Sequence, residues 1–112
     1  MPLFFTYGSL RKGQFNHSFL LALKPVFKRT AQIKADMVDL RLPFPAIKEG
    51  FGLVEGEIYE VDKHGFAELD LLEGHPHFYE RRTVTTTDGD AVEVYFGTGV
   101  LYLQAKPLST EG

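Results

Sequence analysis

Two β-rich runs meet at Asp88-Gly89-Asp90, in "YERRTVTTTDGDAVEVYFG". An Asp-Gly turn matches the right-handed twist of the strands it joins, so this stretch predicts an antiparallel hairpin. A sheet that contains it must bury one face, and the rest of the chain offers the material to do so. "LFFTYGSL" opens with an apolar run that suits a buried strand from Leu3 to Thr6, broken by Gly8 and Ser9. "VFKRTAQIKADMVDLRL" alternates, which predicts one long bent strand or two short ones. "LVEGEIYEV" alternates again, with Val54, Gly56, Ile58 and Glu60 on one face. "PFPAIKEGFG" has two prolines and two glycines and reads as a loop or edge segment. The tail "VLYLQAKPLSTEG" offers one further short strand.

Helical spacing occurs twice. Phe15, Phe19 and Leu23 predict a short helix with Asn16 as N-cap, ended by Lys24 and Pro25. The second helix runs from Asp62, a good N-cap, to Glu73, with Gly74 as left-handed C-cap. Strands therefore dominate, with two helices of moderate length. The expected fold is an α+β domain whose mixed sheet is curled or barrel-like and carries helices against it. The chain of 112 residues reads as one domain, 1–112, large enough to close a core without staples.

Composition narrows the function. No cysteine occurs, which removes disulfides and thiolate catalysis and fits a reducing, cytoplasmic compartment. Net charge is −3 and no basic run exceeds Arg81-Arg82, so a nucleic-acid surface is not expected. The start "MPLFFTYGSL" lacks a signal-peptide pattern, and no segment has the apolar length of a membrane span.

Chemistry concentrates in "FAELDLLEGHPHFYERR". Phe66, Leu69 and Leu72 form an apolar stripe, and Glu73, seven residues after Phe66 and four after Leu69, projects from the same side. Glu68 points away from it. A desolvated carboxyl at a helix C-terminus is held toward its neutral form by burial and by the helix dipole. Its pKa then rises from about 4.3 toward the range useful for proton transfer. Other readings are a solvated helix-end Glu, a metal ligand beside His75 and His77, and a carboxylate pair with Glu80. "TYGSLRKG" is the second candidate: a strand ending in Tyr-Gly-Ser presents consecutive N–H groups that can bind an anion, or is an ordinary turn. Neither the Walker spacing nor Gly-x-Ser-x-Gly is present.

The ordered set of motifs resembles the γ-glutamylcyclotransferase-like superfamily, which includes the avirulence-induced-gene-2-like proteins and the γ-glutamylamine cyclotransferases. The residues that carry it are Tyr7-Gly8-Ser9-Leu10, Pro45-Ala46-Ile47, Val54-Glu55-Gly56-Glu57-Ile58-Tyr59, Leu69-Asp70-Leu71-Leu72-Glu73-Gly74 with Tyr79-Glu80-Arg81, and Val94-Tyr95-Phe96. The resemblance implies a small mixed β-barrel with flanking helices and a pocket between the Tyr-Gly-Ser-Leu loop and the helix-end glutamate. It implies that Glu73 is the catalytic acid/base and that Tyr7, Gly8, Ser9, Leu10 and Tyr79 bind substrate. The implied reaction converts a γ-glutamyl amine or γ-glutamyl amino acid into 5-oxoproline and a free amine, with no metal or organic cofactor. A non-catalytic protein that keeps the same pocket for a small ligand is the alternative. The expected partner is a small γ-glutamyl molecule, with the chain a monomer or homodimer.

Overall fold

The computed structural model describes residues 2–8, 17–38 and 46–99. Within them the chain forms β1 (Leu3–Thr6), α1 (His17–Ala22), β2 (Val26–Val38), β3 (Ala46–Glu60), α2 (Lys63–Glu73), β4 (Tyr79–Thr85) and β5 (Ala91–Gly97). The strands make one five-stranded sheet in the order β2-β3-β1-β5-β4. β1 lies parallel to β5, through Phe4 opposite Glu93, and the other pairs are antiparallel. β1 is central, with a neighbour on each side and buried residues facing both ways, which is why its sequence is a continuous apolar run rather than an alternation.

Alternation along the strands divides the interior into two cores. On one face Phe4, Tyr59, Tyr79 and Tyr95 meet Leu20 of α1 and Phe66 and Leu69 of α2. On the other, Phe5, Tyr7, Ile33, Ile58, Val92, Val94 and Phe96 pack with no helical residue among them. Among the described residues that core is lined by strands alone, which requires the sheet to curl over itself. The curl brings the β4–β5 turn against β2: Thr87 donates its N–H to the Gln32 carbonyl at 2.9 Å, and Arg29 pairs with Asp90. The α+β fold is as expected, and the barrel is present in a loose form, since among the described residues no strand pairing joins the edge strands β2 and β4.

Three expectations change. The segment expected to be a loop or edge from Pro43 belongs to the long β3 from Ala46 onward, with 43–45 outside the described residues. Its glycines mark a bulge in a strand rather than a loop. The register shifts between Lys34 and Asp36, and the Asp36 carboxylate lies over the β3 backbone, accepting the Gly52 N–H at 2.9 Å. Leu72, placed in the apolar stripe, is 43% exposed. The buried arc of α2 is Gly65, Phe66 and Leu69, and Leu72 falls at its rim at 100° per residue. In α1 the fully buried side chain is Leu20, with Phe19 and Leu23 packed beside it. The expected cap Asn16, the neighbouring Phe15 and the tail strand lie outside the described residues.

Two positions give stability predictions. Asp62 caps α2 by accepting the Gly65 N–H on Oδ1 at 2.7 Å. Asp62→Ala leaves that N–H unpaired and is expected to lower unfolding free energy by about 1 kcal/mol, read from urea midpoints. Gly56 sits where β3 crosses β1. A Cβ there would fall 2.4 Å from the Thr6 carbonyl oxygen and 2.6 Å from the Phe5 ring. The carbonyl is main chain and cannot swing aside, so Gly56→Ala must push β1 and β3 apart. A loss of about 1–3 kcal/mol is expected, the range for overpacked cores, and thermal unfolding checks it.

Candidate active site

Main-chain hydrogen bonds fix the last turn of α2. Gly74 takes up φ 68°, ψ 37°, the left-handed region in which a Cβ is costly, and its N–H bonds the Leu71 carbonyl. His75 N–H reaches the Asp70 carbonyl at 2.9 Å, and the N–H groups of His77 and Phe78 both donate to Gly74 O. Thr98 closes the turn from beyond β5, its hydroxyl donating to His77 O at 2.6 Å. The backbone therefore leaves α2, turns within five residues and enters β4 at Tyr79, which is buried.

Glu73 ends the helix and is half-buried. Burial pushes its carboxyl up from 4.5 to about 7. Among the described residues the carboxyl has no hydrogen bond and no ion pair. Its raised value thus has a single physical cause, loss of water around the charged form.

Its neighbours are tied to one another. The Tyr95 hydroxyl, on β5, donates to Asp70 Oδ1 at 2.5 Å, one helical turn before Glu73. Burial, then the Asp70 bond and charge, push the Tyr95 phenol far upward, so it stays protonated. Arg81 reaches Asp70 at 3.7 Å and Glu93 at 3.5 Å, with its guanidinium 4.8 Å from the Phe66 ring centre. Tyr7, the last residue before Gly8, donates its hydroxyl to the Tyr95 main-chain carbonyl at 2.6 Å.

The expected site residues are placed as follows. Glu73 and Tyr79 stand at the two ends of one tight turn. Tyr7 is joined through Tyr95 to the helix that carries Glu73. Gly8 lies just beyond β1, while Ser9 and Leu10 lie outside the described residues, as does part of the expected pocket wall. His75 Nδ1 accepts the Arg81 N–H at 3.0 Å, and among the described residues no three His, Asp or Glu side chains are grouped to hold a metal. Glu80 bonds Arg82 at 2.9 Å instead of facing Glu73 as a partner. Sequence reasoning missed Asp70, Tyr95 and Glu93 as site neighbours. The signal for two of them was the alternation of β5, where Val92, Val94 and Phe96 take one face and leave Glu93 and Tyr95 on the other.

An α+β domain with a curled mixed sheet carries a desolvated carboxyl at a helix end, a group suited by its raised pKa to exchange protons near neutral pH. The comparisons with known proteins specify the family. The family described as γ-glutamyl cyclotransferase, AIG2-like, matches residues 4–111. A Vibrio cholerae protein provisionally named a γ-glutamylcyclotransferase is 36% identical over 101 residues, covering 90% of this chain and 80% of its own. The zebrafish (Danio rerio) γ-glutamylaminecyclotransferase C is 37% identical, covering 71% of this chain and 59% of that protein. The crystal structure of a mouse (Mus musculus) AIG2-like protein superposes with a TM-score of 0.78 at 27% identity, covering 89% of this chain and 78% of that one. The chain belongs to the AIG2-like γ-glutamyl cyclotransferase family and is an enzyme of that type.

Proposed function

We propose that this enzyme converts γ-glutamyl amines into 5-oxoproline and free amine, with Glu73 as the general acid/base. The observation that carries the reading is the half-buried Glu73 carboxyl, pushed up to about 7 and, among the described residues, without a hydrogen bond or ion pair. The substrate class follows the relative named for γ-glutamylamines, and γ-glutamyl amino acids present the same reacting end.

The reaction is an intramolecular aminolysis. The α-amine nitrogen bonds to the γ-carbonyl carbon, the carbon–nitrogen bond to the leaving amine breaks, and two protons pass from the starting ammonium to the leaving nitrogen, which ends as an ammonium. The reacting groups share one molecule, so the enzyme gains mainly by holding the folded conformer. The amine starts as an ammonium with a pKa of about 8. An ordinary Glu lies about 3.5 units below it, a gap of roughly 5 kcal/mol for the transfer. Glu73 near 7 narrows that gap to about one unit. Glu73 accepts the first proton from the ammonium and gives it to the departing nitrogen, and the second, released as the ring nitrogen becomes an amide, ends on the freed amine. The tetrahedral oxyanion is assigned to main-chain N–H groups at the turn that begins with Gly8, and the glutamyl group to Tyr7 and Tyr79. No cofactor enters this scheme, and the reaction runs in a cytoplasmic compartment.

Incubation with a γ-glutamyl amine, followed by detection of 5-oxoproline and amine in equal amounts, tests the reading. Binding of 5-oxoproline without production of it would identify the non-catalytic alternative instead.

A further inference from the structure

We propose that Tyr95 is the positioning residue that couples the two halves of the site, fixing the Glu73 end of α2 relative to the Tyr7–Gly8 turn. This rests on the reading of Glu73 as the acid/base. The two halves come from distant parts of the chain, the end of β1 and the end of α2. Tyr95 is bonded to both. Its main-chain carbonyl accepts the Tyr7 hydroxyl at 2.6 Å, and its own hydroxyl donates to Asp70 at 2.5 Å. Its ring is clamped between Phe4, 5.9 Å away and edge-on, and His75, 6.4 Å away. Asp70 is held a second time through its carbonyl, which accepts the His75 N–H, and a third time by Arg81. Asp70 is therefore a fixed point one turn before Glu73, and Tyr95 transmits the position of β1 and β5 to it. Proton transfer between Glu73 and a substrate held at the Tyr7–Gly8 turn depends on that distance, and a misplacement of about 1 Å can cost roughly a hundredfold in rate.

Among the described residues, the charged and titratable groups around Tyr95 are Tyr7 just past β1, Asp70 and Glu73 on α2, His75 on the turn and Arg81 on β4. Tyr95→Phe keeps the ring and the main-chain bond to Tyr7 and deletes only the bond to Asp70. Arg81 stays beside the freed carboxylate in the variant and limits its repulsion of Glu73. The remaining effect is a looser helix end that admits water to Glu73.

The test compares Tyr95→Phe, Asp70→Ala and the double variant with Val92→Ala, a core truncation on the same strand in the other cluster. Tyr95→Phe is expected to lower kcat by about 10- to 100-fold and leave KM within about threefold, because binding is kept and alignment lost. The double variant is expected to fall within about twofold of the worse single, since both substitutions remove one coupling. Val92→Ala lowers stability without that split. In parallel, the Glu73 carboxyl followed by NMR is expected to titrate lower in Tyr95→Phe than in the unaltered protein and to hold in Val92→Ala. Additive losses in the double variant, or a Glu73 midpoint unmoved by Tyr95→Phe, overturn the positioning role. If the unaltered protein releases no 5-oxoproline, the proposed function fails, and the NMR titration alone then decides for or against the coupling.

Discussion

Glu73→Gln folds, binds 5-oxoproline and produces almost none of it. A loss of about 10³-fold in kcat is expected, within the range for a single general acid/base, with KM little changed. Gln keeps the shape and length of the side chain and can neither take nor return a proton at neutral pH. The reactant is an ammonium ion, so the variant must wait for the small deprotonated fraction and then expel an amine without an acid to help it. In the unaltered enzyme kcat/KM should rise through a limb near pH 7 as Glu73 becomes the base, matching its pKa of about 7. That limb should be missing from the residual activity of the variant. Turnover within tenfold of the unaltered protein would move the base elsewhere. That order-of-magnitude threshold stands well short of what an acid/base supplies.

Elements set by local chemistry are legible in the amino-acid sequence. The Asp88-Gly89-Asp90 hairpin, the Asp62 cap and the left-handed Gly74 each depend on residues adjacent in sequence, and each stands where expected. The orientation of Glu73 is legible because Phe66 and Leu69 fix the phase of one helix, and phase alone decides which side it faces. Leu72 fails by the same logic, since an apolar residue at the rim of the buried arc carries no signal for how far the core extends. The glycines at 50 and 52 mislead because a bulge and a loop share a composition. Only the opposing Asp36, fourteen and sixteen residues away, distinguishes them. The Tyr7–Tyr95–Asp70 chain is hidden for a stronger reason. Its members are separated by 88 and 25 residues, and the curl of the sheet, not any local pattern, brings them together.

The half-buried Glu73 carboxyl also makes stability depend on pH, in the direction opposite to that of most carboxyls. In the folded protein Glu73 keeps its proton up to about pH 7, whereas in the unfolded chain it releases it near 4.5. Between those values the native state binds more protons than the unfolded state, so unfolding free energy falls as pH rises. Below about pH 4.5 Glu73 contributes no penalty, and above 7 the whole penalty is present. A gap from 4.5 to about 7, at roughly 1.4 kcal/mol per unit, corresponds to about 3 kcal/mol. Glu73→Gln carries no such titration. Its urea unfolding free energy is therefore expected to match that of the unaltered protein to within a constant at pH 5, and to exceed it by a further 2–3 kcal/mol, roughly, at pH 8. All other titrating groups cancel in the difference between the two proteins. A residue whose removal abolishes turnover yet strengthens the fold at neutral pH would be one held out of water for its chemistry. Parallel pH profiles for the two proteins would mean that Glu73 is as well solvated when folded as when unfolded, and the energetic basis for its role as proton carrier would be gone.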